Sequence, residues 1–161
     1  MWGAASVALV ATAGCNPFST TTRVTQTVTA APAANVDILP TMIAITRLHV
    51  VRLSNAMAAD KSLAARLTPL RADRLAHLTA LIAELGRTSP DAAAAEKKKP
   101  TADAAVAVPK GGAAAVLAGM RADAALAQGV FTDALAQTSR YRAALFASIA
   151  ACLASHRLAL A

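Results

Sequence analysis

LAARLTPLRADRLAHLTALIAEL, residues 63–85, carries the longest regular amphipathic pattern in the chain. Its apolar residues recur at steps of three and four, which places them on one stripe of an α-helix. These residues are Leu63, Leu67, Leu70, Leu78, Leu81, Ile82 and Leu85. With about 100° of rotation per residue, Arg74 falls inside that stripe and His77 on its border. The stretch therefore predicts a core helix with polar groups built into its buried face.

The other periodic stretches predict partners for this helix. Hydrophobic residues make up 56% of the 161, but aromatic residues only 3%, and alanine supplies much of the apolar count. Such a composition favours helices that approach one another closely. Residues 37–59, 113–137 and 139–160 show helical periodicity, and a short turn at residues 60–62 makes the first two helices antiparallel. The sequence thus predicts an all-α, up-down four-helix bundle over residues 37–161.

Residues 87–112 interrupt the periodicity. They contain Pro90, Pro100, Pro109, a run of three lysines at Lys97–Lys99 and the pair Gly111-Gly112. Proline and glycine at this density predict a mobile surface loop between the second and third helices. The lysine run is interpreted as a solvated part of that loop, or alternatively as a patch for anionic lipid.

The formal net charge is +7 and the pI is about 10.3. The arginines are dispersed along the chain, and no nucleic-acid-reading motif accompanies them. The absence of such a motif argues against nucleic acid as a partner, and the positive charge is more consistent with attraction to an anionic membrane.

The N-terminal residues 1–15, MWGAASVALVATAGC, resemble the end of a bacterial lipoprotein signal peptide. Ala13-Gly14-Cys15 matches the small residues before the lipid-bearing cysteine, while Thr12 stands where leucine is usual and no Lys or Arg precedes Arg23. The resemblance implies lipidation of Cys15 and a place on the extracytoplasmic face of the cell membrane. Residues 16–36, rich in Thr, Ala and Pro, have the composition of a flexible tether. The alternative for residues 1–15 is an apolar tail or a short core helix. This stretch is too short to span a membrane.

Polar residues fall at or near the inner face of each predicted helix. They are His49, Arg74, His77, Asp123, Cys152 and His156. With RLAH at residues 74–77 and CLASH at residues 152–156, the chain resembles a ferritin-like four-helix domain, specifically the alanine-rich ferritin-like domains of actinobacterial envelope proteins. In metal-binding members, helices 2 and 4 each carry Glu-x-x-His, and helices 1 and 3 each add a glutamate.

On that pattern His77 and His156 match the two motif histidines. Arg74 and Leu153 stand where the motif has glutamate, Asp123 corresponds to the carboxylate of helix 3, and His49 lies near the place of the helix-1 carboxylate. A di-iron pair needs several anionic oxygens, and a cation beside it opposes metal binding. The resemblance therefore implies a degenerate site without ferroxidase chemistry and without a required cofactor.

Two functions follow from these residues. The first is a non-enzymatic, membrane-anchored envelope lipoprotein with a structural role or an unknown envelope protein as partner. In that case Arg74 pairs with Asp123, Cys152 acts as a small hydrophobic residue, and the group is a structural polar cluster. The alternative is a metal-binding protein that holds zinc, copper or nickel with His49, His77, Asp123 and His156. A weaker hypothesis is self-association through the alanine-rich faces. The sequence shows no nucleophile elbow, phosphate loop or Cys-x-x-Cys pair, so no enzyme class is predicted.

Overall fold

The computed structural model describes residues 37–103, 105–138 and 140–161, and this part of the chain contains five α-helices. They are α1 (Leu39–Ala59), α2 (Ala64–Gly86), α3 (Pro90–Lys98), α4 (Ala113–Ala134) and α5 (Arg140–Ala159). One 3₁₀ turn precedes α2 and another follows α4. No β-strand occurs in the described ranges, which confirms the all-α prediction for them. The predicted signal segment, the tether and Cys15 lie outside the described residues.

The helix α2 packs against α1, α3 and α5, and its buried face matches the predicted stripe. Every apolar residue of its predicted stripe is buried, and Leu67 and Leu81 are completely so. Arg74 is buried within the stripe, while His77 is half-buried at its edge. The helix continues through Pro69, whose ring lies on the exposed side. Burial of the leucine stripe against the other helices, at about 25 cal/mol per Å² of apolar surface, drives this packing.

The core consists of two apolar clusters at opposite ends of the long helices. The first joins the start of α1, the end of α2, the end of α4 and the first part of α5; representative residues are Ile43, Leu81, Phe131 and Phe146. The second joins the opposite ends and includes Leu53, Leu67, Met120 and Leu160. Therefore α1 and α5 run in one direction and α2 and α4 in the other. The order is up-down-down-up, which corrects the simple up-down order predicted above.

The predicted loop between the second and third helices contains α3, so a mobile loop was the wrong prediction for residues 90–98. Pro90 suits the first turn of a helix, and Lys97 and Lys98 lie in the last turn, where cations interact favourably with the helix dipole. Ala93 is buried against the end of α2. Arg47 of α1 pairs with Glu96 at 2.8 Å and also donates to backbone carbonyls at the end of α3. Four alanines in succession give this segment its helical propensity.

Two details of the helical hairpin α4–α5 were not apparent from periodicity. Phe146 is completely buried and meets Phe131 edge-on, with ring centroids 5.5 Å apart. Gly119 lies against the ring of Pro109, as expected for a glycine used in close packing, whereas Gly129 has open space around it.

None of the helices in the described ranges combines the length and apolar character needed to cross a membrane.

Candidate functional site

A polar layer separates the two apolar clusters. On α1, His49 lies between Ile43 of the first cluster and Leu53 of the second. The other three long helices contribute polar residues at corresponding positions between the clusters. We call these seven residues the polar layer: His49, Asp73, Arg74, His77, Asp123, Cys152 and His156. The six predicted inner polar residues are thus placed at one level of the bundle, and Asp73 is added to them.

A small internal cavity lies within this layer. Its volume is about 10 Å³, close to the minimum that holds one water molecule. Four of the six predicted residues line it, namely His49, Arg74, Asp123 and His156. Its remaining walls are apolar and come from Leu53, Leu70, Met120, Ala124 and Leu160. His77 and Cys152 are not among the lining residues.

Asp123 pairs with Arg52 of α1, at 2.6 Å between Nη1 and Oδ1. The expected pairing of Asp123 with Arg74 is therefore wrong. Arg52 was not among the predicted inner residues, although its spacing of three residues from His49 puts both on neighbouring positions of one helix face. As a result the carboxylate on the cavity wall already has a cationic partner from another helix.

Arg74 is the most deeply buried charged group of the layer, with 3% of its surface exposed. Its Nε and Nη1 have no hydrogen-bond partner. Burial lowers the pKa of Arg74 to about 10, while Cys152 and Asp123 oppose that shift. The guanidinium is still protonated at neutral pH, so the layer contains a positive charge without a paired carboxylate.

The three histidines are neutral at neutral pH. Burial, followed by the charge of Arg74, lowers the pKa of His49 and that of His77 to about 4. Burial also lowers the pKa of His156, although its contact with Asp73 acts in the opposite direction. A neutral imidazole keeps a lone pair on one nitrogen, which is the form that binds metals. Nδ1 of His49 and Nδ1 of His77 are buried without a hydrogen-bond partner.

Asp73, Cys152 and His156 form a compact group of three metal-binding side chains. Nε2 of His156 lies 2.9 Å from Oδ2 of Asp73 and 3.4 Å from Sγ of Cys152. The thiol lies 3.9 Å from the same carboxylate oxygen. The three ligand atoms all lie within 4.8 Å of one another, and no other group of three such side chains among the described residues does so. Asp73 was not predicted because it is exposed and lies outside the apolar stripe. Its position directly before the buried Arg74 is the sequence feature that could have indicated it.

The geometry of these three residues differs from that of a cysteine–histidine–aspartate catalytic triad. In a triad the acid orients one ring nitrogen, and the nucleophile contacts the other. Here Asp73 and Cys152 both contact Nε2 of His156. Moreover, burial and the neighbouring Asp73 raise the pKa of the Cys152 thiol, which disfavours a reactive thiolate. Three different ligand atoms that converge on one point favour a metal ion.

Three of the four ligands predicted from the sequence, His49, Asp123 and His156, line the internal cavity, whereas His77 is not among its lining residues. His156 also belongs to the group with Asp73 and Cys152. No family model, curated protein or solved structure matches the chain in the three comparisons with known proteins.

Proposed function

We propose that this protein binds a single zinc-type transition-metal ion through Asp73, Cys152 and His156 and has no enzymatic activity. The convergence of the three ligand atoms carries the proposal. Ligands that lie about 2.0–2.3 Å from a tetrahedral zinc ion are separated from one another by roughly 3.3–3.8 Å. The observed separations of 2.9, 3.4 and 3.9 Å bracket that range. Small side-chain rotations would therefore bring all three atoms into coordination.

The chemistry of the ligands selects the class of metal. Thiolate and imidazole together favour zinc over magnesium or calcium, which prefer oxygen ligands. A bound thiolate and carboxylate supply two negative charges, which balance a divalent ion. The positive charge of Arg74, next to Asp73, repels a bound cation. Two anionic ligands are therefore needed here more than at a site without a neighbouring positive charge.

The exposure of the ligands supports reversible binding. The side chain of Asp73 is 53% exposed, Cys152 is half-buried and His156 is only 5% exposed. The ion can therefore approach from the surface and reach a histidine fixed by the core. Three protein ligands leave a fourth coordination position, whereas structural zinc sites usually have four. We infer a role in holding and releasing the metal rather than in stabilising the fold.

Calorimetric titration of the full chain with Zn²⁺ tests this function. We expect one ion per chain in the unsubstituted protein, with binding lost in Cys152→Ser and His156→Ala and weakened in Asp73→Ala. His77→Ala is the matched control, because it removes an imidazole of the same layer that lies outside the group. With Co²⁺ as a probe, charge-transfer absorption should appear and should depend on Cys152.

Two results would overturn the proposed ligand set. One is the absence of stoichiometric zinc binding, which would leave a structural or partner-binding role as the function. The other is binding that survives Asp73→Ala and Cys152→Ser but is lost in His49→Ala and His77→Ala. That result would assign the ion to the four residues predicted from the sequence.

We also propose that the domain is held on the extracytoplasmic face of a membrane by a lipid on Cys15. This proposal is supported by the Ala13-Gly14-Cys15 sequence and by the tether composition of residues 16–36. We expect the protein to partition into the membrane fraction and the Cys15→Ala variant to leave it. Cys152→Ala is the matched control and should stay with the membrane. Equal partitioning of Cys15→Ala and the unsubstituted protein would contradict lipid anchoring.

A degenerate ferritin-like origin is also part of this proposal. The up-down-down-up order of the four long helices and the long crossover between α2 and α4 support it. So does a polar layer to which all four long helices contribute, because the resemblance described above implies a site at that level. In this interpretation α3 is an addition within the crossover.

A further inference from the structure

We propose that the internal cavity of the polar layer binds one chloride-sized anion on Arg74 and His49. This site is distinct from the proposed metal site and does not require the metal, although His156 borders both. It would place a small anion at the centre of the bundle.

The buried donors of Arg74 carry the argument. Its Nε and Nη1 point to no acceptor, and only 3% of the residue is exposed. Buried polar groups are almost always hydrogen-bonded, and a buried charge normally has a partner of opposite charge. The nearby carboxylates are already engaged, because Asp123 bonds to Arg52 and Asp73 bonds to His156. Asp123 and Asp73 attract the charge of Arg74 without bonding to it, so its Nε–H and Nη1–H groups still have no acceptor.

His49 supplies a second, independent donor on the cavity wall. It is 7% exposed, and its Nδ1 has no hydrogen-bond partner. In the tautomer with a proton on Nδ1, His49 adds an N–H donor to those of Arg74, and both residues line the same cavity. An anion accepts hydrogen bonds from these N–H groups and also balances the positive charge of Arg74. A water molecule accepts the hydrogen bonds but does not balance the charge.

The size and walls of the cavity select the anion. A cavity of about 10 Å³ is close to the size of one water molecule and excludes sulfate, phosphate or an organic acid. Chloride is slightly larger than water, so its binding requires a small outward movement of the lining side chains. Apart from Asp123, the walls beyond the histidines and Arg74 are apolar, which favours a weakly hydrated halide over hydroxide. The carboxylate of Asp123 repels an anion, but its charge is offset by Arg52 at 2.6 Å.

Anomalous scattering from crystals of the full chain grown in bromide is the direct test. Bromide is the probe, since it has nearly the size of chloride and scatters anomalously. We expect a peak within hydrogen-bonding distance of Arg74 and His49. Density for water alone, with no bromide peak in the cavity, would overturn the proposal. This measurement needs no variant, so a folding defect cannot obscure it.

A thermal-unfolding comparison tests the same site in solution. Sodium chloride and sodium gluconate are compared at equal ionic strength, so that screening is the same in both. We expect chloride to raise the Tm by roughly 3–6 °C when it is well above its dissociation constant. The effect should disappear in Arg74→Met and persist in Arg71→Met, which removes a half-buried cation that donates to Ser54 outside the cavity. An equal Tm in the two salts, or a chloride effect that survives Arg74→Met, would contradict the proposal.

Discussion

Arg52 on α1 binds Asp123 on α4 at 2.6 Å and thereby links two helices that are far apart in sequence. The side chains are 33% and 17% exposed, so the pair lies at the border between solvent and the polar layer. Because Asp123 is held there, it is not available to Arg74. The pair therefore gives Asp123 a cationic partner and leaves Arg74 without a carboxylate partner.

A double-mutant cycle on Arg52 and Asp123 measures this link. We expect a coupling free energy of about 0.5–1 kcal/mol between Arg52→Met and Asp123→Asn, because partial exposure screens the charges. Urea unfolding of the four proteins gives the free energies of unfolding. Arg74→Met combined with Asp123→Asn is the control, and coupling larger there than for Arg52 would mean that Asp123 serves Arg74 after all.

Acid should destabilise the fold through its buried histidines. The pKa of His49 and of His77 is about 4 in the folded chain and near 6.5 in the unfolded chain, so the unfolded chain binds more protons between these values. Their contribution to stability is complete above pH 6.5 and is lost as the pH falls towards 4. We expect a loss on the order of 2 kcal/mol per histidine, measured as the free energy of unfolding against pH.

The variant with His49→Gln and His77→Gln provides the control for that profile. Its free energy of unfolding should vary much less with pH between 6.5 and 4. The carboxyl groups of Asp60 and Glu96 should still act in more acidic solution. Hydrogen bonds from Ser62 lower the pKa of Asp60. Burial raises the pKa of Glu96, but hydrogen bonds from Lys99 and Arg47 outweigh it, and the pKa is lowered overall. An unchanged profile in the double variant would show that these histidines are not the cause.

Zinc binding should release about one proton per ion at neutral pH. The pKa of the Cys152 thiol is raised by burial and by Asp73, so the thiol is protonated before the metal binds. His156 is already neutral because burial lowers its pKa, and it releases none. Calorimetry in buffers of different ionisation enthalpy, at one pH, counts the protons. Zinc binding without proton release would exclude Cys152 as a thiolate ligand.

Two glycines of α4 should respond to alanine in opposite ways. Gly129 has no neighbouring atom within 4 Å of an added Cβ, so Gly129→Ala should stabilise the helix by up to about 1 kcal/mol. Gly119 touches the ring of Pro109, so Gly119→Ala should displace the crossover segment and cost about 1–3 kcal/mol. Urea midpoints of the two variants, compared with the parent, test both signs, and stabilisation by Gly119→Ala would show that the Pro109 contact yields easily.

Removal of the ring of Phe146 should be among the most damaging core changes. The ring is completely buried against Phe131, so Phe146→Ala should cost about 3–5 kcal/mol. Leu126→Ala is the control, because Leu126 is 72% exposed and should change the free energy of unfolding by less than about 0.5 kcal/mol. Similar losses in the two variants would place Phe146 outside the cooperative core.

Local pattern was sufficient for the helices and for the inward position of their polar residues. The leucine stripe of α2, with Arg74 inside it and His77 at its edge, was visible because helical periodicity is a property of neighbouring residues alone. The helix α3 was missed because the prolines and lysines around its four alanines have the composition of a loop. Ala93 packs against the end of α2, and Glu96 pairs with Arg47; the second contact joins residues 49 positions apart, which local pattern does not reveal.

The sequence by itself determined that four long helices form, and that each offers a polar side chain to the interior. Only the tertiary structure decided which of these groups meet. Whether Asp123 faces Arg52 or Arg74, and whether His156 joins His77 or Asp73 and Cys152, depends on the relative rotation and direction of packed helices. Periodicity fixes the angle of a residue about its own helix axis, but contact across helices is set by the packing of whole faces.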